Sequence, residues 1–185
     1  MAGISLRDKE VLVMGLGNHG GGVGVVQFLV KKGAKVKVTD LRTEEELRPS
    51  LKPLEGGPVR YVLGEHRKKD FTSADLVIRN PAVPARNKFL QIAEEAKVPV
   101  WMESTLFFLL CPSSKIIGVT GTKGKTTTAN LIAEVLKGAG KKVVLAGNME
   151  VSMVSQLSRI KPSTFVVLEL SSFQLEGLAP VKRSP

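Results

Sequence analysis

Apolar positions along the chain fall in short runs, separated by glycine turns and by segments with helical spacing, and this alternation predicts βαβ units. The run "EVLVMGLG" is apolar at successive positions, as expected of a strand buried on both faces, and it ends in glycines. Val25, Phe28 and Leu29 then recur at helical spacing, "KKGA" supplies a basic last turn and a glycine stop, and "KVKVTD" reads as a second strand. Further strands are expected at "VRYVL", "ADLVIRN" and "VPVWME", with a helix over "NKFLQIAEEAK". The pattern breaks at "CPSS" and restarts with strand "KIIGVT", a glycine loop, a helix, and strands "KVVLAG" and "TFVVLEL". Ile132, Val135, Leu136 and Ala139 are expected to form the apolar face of that helix. Two α/β units in series, residues 1–110 and 115–185, are the simplest organisation.

Composition supports this picture. With 43% hydrophobic and 24% charged residues in 185, the chain can bury a core, and its 18 glycines favour turn-rich α/β architecture over a helical bundle. The N-terminal "MAGISLRDKE" has no basic-then-apolar leader pattern and no apolar run has the length of a membrane span, so a cytoplasmic protein without membrane insertion is expected. Cys111 is the one cysteine, which excludes a disulfide framework and reads as a small buried residue. The net charge of +10 is densest in the second unit: residues 115–185 hold 10 basic and 4 acidic side chains, against 17 and 13 before them. With one Trp and one Tyr for base stacking, this charge fits phosphorylated small molecules better than a nucleic-acid strand, and no nucleic-acid partner is expected.

Two glycine clusters carry the candidate chemistry. In "GLGNHGGG", Gly15, Gly17 and Gly20 match G-x-G-x-x-G between a strand and a helix, with Asp40 closing the next strand. Glycines there allow a tight turn and close approach of backbone N–H groups to a diphosphate, while an acid after the second strand can accept from a ribose or base. The same physics serves a dinucleotide or any nucleoside diphosphate, and Arg42 and His19 lie beside it in sequence. In "GVTGTKGKTTT", the segment Gly121, Thr122, Lys123, Gly124, Lys125, Thr126 and Thr127 reproduces a phosphate loop, although Val119 stands where the first P-loop glycine is expected. Its N–H groups would cradle the phosphates of ATP, Lys125 would neutralise their oxygens and the Thr126 hydroxyl would ligate Mg2+. Glu169, at the end of "FVVLEL", is the candidate second magnesium ligand, and Ser171, Ser172 and Gln174 follow it as further polar candidates.

"TGTKGKTTT", the "GN" at Gly147-Asn148 and "LELSSFQLE" together resemble the Mur ligase family, the last string its D-glutamate-adding branch. "GLGNHGGGVGVVQFL", "VTDLRT", "LVIRNPAVP" and "ESTLFFLLCP" are similar to the UDP-binding domain of that branch. The resemblance implies a Rossmann-like open parallel sheet followed by the first part of a P-loop ATPase domain. It further implies ATP- and Mg2+-dependent ligation of D-glutamate to UDP-N-acetylmuramoyl-L-alanine, through an acyl phosphate, by an enzyme that is a monomer at full length. Asn18, His19, Asp40, Leu41 and Arg42 would then hold the uridine diphosphate end, Lys125 and Glu169 would serve the phosphoryl transfer, and Asn148 would face the substrate. "GNMEVSM" departs from the family's "GNIG" by placing Glu150 where a glycine is expected, and "NPAVP" departs from "SPGVP". The chain also stops before the family's later metal-binding residues and acceptor domain, which makes it a fragment expected to bind without ligating and to leave "FVVLEL" as an open sheet edge. Two other readings stay open: a nucleotide-sugar-binding module without catalysis, and an NAD(P)-binding oxidoreductase domain suggested by Gly15, Gly17 and Gly20 alone.

Overall fold

The structure, a computed structural model, describes residues 4–18, 20–147 and 152–178. Its first sheet has five parallel strands, β1 (Glu10–Met14), β2 (Lys35–Asp40), β3 (Val59–Leu63), β4 (Leu76–Arg79) and β5 (Val100–Met102), in the order β3-β2-β1-β4-β5. The order reverses between β1 and β4, so a crevice opens beyond the carboxyl ends of those two strands. Both faces are covered, which is why β1 is apolar at successive positions: Val11 and Val13 join one core cluster, Leu12 and Met14 the other.

Helix α1 (Gly21–Lys31) follows the first glycine cluster and buries Val25, Phe28 and Leu29 as the spacing predicts, with Val23 and Val26 beside them. Fully burying one such side chain contributes roughly 1.5–3 kcal/mol. Helix α2 (Glu44–Leu51) was not expected from periodicity, and its cause is local. Thr43 and Glu46 form a reciprocal capping box, the Thr43 N–H donating to Glu46 Oε2 at 2.8 Å. Helices α3 (Lys68–Ser73) and α4 (Lys88–Glu95) cover the second face through Phe71, Leu90 and Ala93.

Helix α5 (Glu103–Leu110) leads out of the first sheet into the second, which comprises β6 (Ile116–Val119), β7 (Val143–Ala146) and β8 (Phe165–Glu169), all parallel. Their order is β6-β8-β7. The "FVVLEL" strand therefore lies in the middle of the described sheet, not at an open edge: both its neighbours precede it in sequence, and it inserts between them. One core cluster runs from Val26 and Leu29 of the first unit through Leu106, Phe107 and buried Cys111 to Val144, Val166 and Leu168 of the second.

Helix α6 (Lys125–Gly138) packs on the other face of β8, but not with the expected residues. Ala129 and Ala133 are buried, Ile132 and Leu136 are partly so, and Val135 and Ala139 are exposed. The two alanines allow close approach to Val119 and Val167, which rotates Val135 out of the contact. Helix α7 (Ser172–Glu176) follows β8.

Candidate functional site

Each glycine cluster opens a helix at the carboxyl edge of a sheet. Gly20 and Gly124 both take the left-handed conformation at the N-cap, and neither α1 nor α6 receives a side-chain cap there, whereas Thr43, Asn87 and Ser171 cap α2, α4 and α7. The first-turn N–H groups of α1 and α6 thus remain available for an anion.

At the second sheet, β6 and β8 are neighbours in a register that places Val119 beside Glu169. This brings Glu169 under the loop that β6 feeds. Thr126 Oγ1 donates to Glu169 Oε2 at 2.9 Å, and Lys125 Nζ donates to the Gly121 carbonyl at 2.9 Å, folding over the loop it closes. A hydroxyl and a carboxylate are hard oxygen donors, suited to Mg2+ that takes its remaining ligands from phosphate and water. Among the described residues no group of three His, Cys, Asp or Glu side chains could hold a metal without such help. Gly147, at the exit of β7, has φ +97°, and a Cβ there would fall 2.2 Å from the Glu169 carbonyl oxygen. The glycine of "GN" is thus required by close approach to the strand that carries the acid.

Ser171 and Gln174 are engaged locally. They form a capping box, with the Ser171 N–H donating to Gln174 Oε1 at 2.9 Å and the Gln174 N–H donating to Ser171 Oγ at 3.3 Å. The S-x-x-Q spacing is the signal for that motif, and it accounts for two of the three polar candidates after Glu169.

At the first sheet, Asp40 is buried and its carboxylate is occupied by the protein itself. Oδ2 accepts from the N–H groups of Leu16 at 2.9 Å and Gly17 at 3.4 Å, and Oδ1 accepts from the Arg42 N–H at 3.0 Å and Nε at 3.3 Å. The acid thereby ties the glycine turn to the residues after β2. Leu41, 63% exposed, and the half-exposed Arg42 side chain project from the same corner. Asn18 lies beside a hollow of about 400 Å³ between α1, α2 and Ser152. His19, Asn148 and Glu150 lie outside the described residues.

Sequence reasoning missed three contributors. Asn80, at the end of β4, donates from Nδ2 to the Gly15 carbonyl at 3.2 Å and so spans the crevice at the order reversal. His66 sits edge-on to Phe71 and Phe89 and 2.7 Å from Thr39 Oγ1, which also contacts the Glu65 carbonyl at 3.1 Å. Thr39 has one proton, so both contacts hold together only when His66 Nδ1 carries its own and donates. Burial lowers the His66 pKa, against the raising influence of Asp40. Glu103, at the start of α5, accepts from Ser152 Oγ at 2.6 Å and the Val154 N–H at 3.1 Å. Desolvation raises its pKa despite these donors. Asn80 and Glu103 lie within the strings "NPAVP" and "ESTLFFLLCP", but no periodicity or spacing singles out either of them or His66, since each gains its contacts through tertiary structure.

The doubly wound first sheet and the Lys-Thr loop backed by an acid on the adjacent strand define the class, an α/β protein carrying a P-loop. Residues 9–102 match the profile of "Mur ligase MurD-like, N-terminal domain", and residues 119–183 match "Mur ligase middle domain". The chain belongs to the Mur ligase family. It is 54% identical over 98% of its length to a UDP-N-acetylmuramoylalanine--D-glutamate ligase of Roseiflexus sp. (strain RS-1), and 41% identical over 94% to the protein of the same name from Borreliella afzelii. The chain spans 39% and 38% of the length of these relatives. A solved UDP-N-acetylmuramate-alanine ligase from Thermotoga maritima is similar over 88% of this chain and 37% of its own, with 26% identity and a TM-score of 0.51. The first unit is thus that of a Mur ligase, and the oxidoreductase alternative is not favoured. Among the described residues no helix is long and apolar enough to cross a membrane.

Proposed function

We propose that this chain forms the nucleotide-sugar- and ATP-binding part of a cytoplasmic ligase that joins D-glutamate to UDP-N-acetylmuramoylalanine in peptidoglycan synthesis. The observation that carries the reading is the meeting of Thr126 and Glu169 at the mouth of the Gly121–Thr127 loop. Residues 1–110 form the UDP-sugar domain and 115–185 belong to the ATP domain. Leu41 and Arg42 take the uridine end, Asp40 acts by holding the glycine turn and Arg42 in place, and the first turn of α1, with Asn18 and His19, takes the diphosphate. Asn148 faces the substrate. Lys125 and the loop N–H groups bind ATP phosphates, and Thr126 and Glu169 hold the Mg2+ that neutralises them.

The chemistry suits these parts, because phosphoryl transfer needs positioning and charge neutralisation more than a protein nucleophile. The substrate carboxylate oxygen bonds to the γ-phosphorus of ATP as ADP leaves. The D-glutamate amine then attacks the acyl carbon, phosphate departs, and the amine proton passes to solvent. Thr126 and Glu169 are the two metal-ligand side chains this reading assigns, and on it the chain binds both nucleotides. Calorimetry with MgATP and with UDP-N-acetylmuramoylalanine tests this: both bind the wild type, and Lys125→Ala loses MgATP alone. Loss of neither ligand in Lys125→Ala would contradict it.

A further inference from the structure

Three consecutive residues at the start of α5 grip both segments that leave the second sheet beside the P-loop. Glu103 accepts from Ser152 Oγ and the Val154 N–H, at 2.6 and 3.1 Å, in the segment that follows β7. Ser104 Oγ donates to the Gln174 carbonyl at 3.1 Å, and Thr105 Oγ1 donates to the Gly177 carbonyl at 2.7 Å, at the end of α7, which follows β8. Thr105 Oγ1 also accepts from the Met102 N–H at 3.4 Å, tying the same hydroxyl to the last residue of β5. Ser104 and Thr105 are 0% and 2% exposed, so these are interior bonds. From its other side, Ser152 is met by α1: a Cβ on Gly24 would fall 2.3 Å from Ser152 Cβ. Ser152 is thereby held between the helix that opens at the first glycine turn and the helix that leaves the first sheet.

We propose that Glu103, Ser104 and Thr105 are positioning residues that fix the β7 and β8 exits, and with them Glu169, relative to the uridine corner at Leu41 and Arg42. This rests on the ligase reading. In that reaction the substrate reaches from the uridine corner on the first sheet to the phosphoryl donor at Lys125 on the second. A substrate that spans two units is bound well only if their spacing is fixed, because each immobilised contact is otherwise offset by the entropy of ordering the joint. A ligand seated on the first sheet alone does not depend on that spacing. Ser152 Oγ and the Val154 N–H share one acceptor oxygen, Oε1, which an amide oxygen can replace, and the Met153 N–H is a third donor to the same carboxylate.

The test compares UDP with UDP-N-acetylmuramoylalanine by calorimetry on the 185-residue chain and on Glu103→Ala, Glu103→Gln and Ser104→Ala. Glu103→Ala, which removes every acceptor contact of the carboxylate, is expected to weaken UDP-N-acetylmuramoylalanine about tenfold, while UDP stays within about twofold. Glu103→Gln restores the wild-type value, and Ser104→Ala shows the same selective loss at smaller size. If Glu103→Ala does not fold, Ser104→Ala and Glu103→Gln decide alone. Equal weakening of both ligands in the folded variants, or of neither, would overturn the positioning role and leave the ligase reading standing. A wild type that binds UDP and the UDP-sugar equally well overturns it too, and one that binds neither overturns the ligase reading together with it.

Discussion

Thr126 Oγ1 donates a 2.9 Å hydrogen bond to Glu169 Oε2, joining two residues 43 positions apart in sequence at the mouth of the phosphate loop. The bond is a consequence of strand order, because β8 lies directly beside β6 and its last residue pairs with Val119. In this arrangement the two oxygens hold one another where a Mg2+ would be bound.

Glu169→Gln separates the charge from the hydrogen bond. The amide oxygen still accepts from Thr126, so thermal stability should change little, while a cation loses its only carboxylate among these ligands. ATP affinity measured with Mg2+ should fall at least about tenfold, and affinity measured with chelator should be unchanged. Thr126→Ser should behave as wild type. A magnesium-dependent affinity that survives Glu169→Gln would remove Glu169 from the metal site.

Asp40 offers a different separation. Its four bonds to backbone and Arg42 make it a buried acceptor that holds the glycine turn, so Asp40→Ala should cost about 3 kcal/mol in urea unfolding and abolish UDP binding as well. Leu41→Ala and Arg42→Ala should weaken UDP binding with less than about 1 kcal/mol of stability lost, since both side chains project outward. Equal stability of Asp40→Ala and wild type would show that the carboxylate does not hold the turn.

The sequence made the parallel strands legible because strands covered on both faces leave uninterrupted apolar runs, as in Leu12 to Met14. It made the phosphate loop legible because Gly124, Lys125 and Thr126 are adjacent in sequence and together open α6. It did not disclose α5, whose Glu103, Ser104 and Thr105 look unremarkable until β7 and β8 are placed against them. It also misled at α6: Val135 fits an apolar stripe, yet packing through Ala129 and Ala133 leaves it 71% exposed. Periodicity selects a helix but does not fix which way a broad apolar face is turned. Strand order was misjudged for a related reason, since the position of β8 between β6 and β7 depends on contacts that no local pattern records.

His66 and Glu103 give opposite dependences on pH. Burial lowers the His66 pKa below its ordinary value, so between the folded value and about 6.5 the unfolded chain binds more protons and stability falls with acidification. Burial raises Glu103, so its contribution is present at low pH and is lost as pH rises through its folded value, above the ordinary glutamate range. Urea midpoints followed downward in pH from about 6.5 and upward from the ordinary glutamate value should therefore change slope after either substitution. His66→Gln should flatten the loss on the acid side of about 6.5, and Glu103→Gln should flatten the decline that follows deprotonation. Parallel profiles for wild type and His66→Gln would show that His66 titrates alike in both states.

Gly147→Ala should disturb the Thr126–Glu169 pair from the neighbouring strand. At φ +97° an alanine is strained, and its Cβ would stand 2.2 Å from the Glu169 carbonyl oxygen, a distance that only backbone movement can relieve. Left-handed strain costs about 1–2 kcal/mol, and the displaced strand end adds to it, so a total near 2–4 kcal/mol is expected in urea unfolding. Gly140→Ala is the matched control: it has φ +71° with nothing within 4 Å of an added Cβ, so it should carry the strain alone and cost about 1 kcal/mol. The two differ in what moves. Shifting Glu169 takes its carboxylate away from Thr126, so Gly147→Ala should also weaken MgATP, whereas Gly140→Ala should leave MgATP affinity unchanged. Equal MgATP affinity in folded Gly147→Ala and wild type would mean that the β7 exit does not set the position of Glu169.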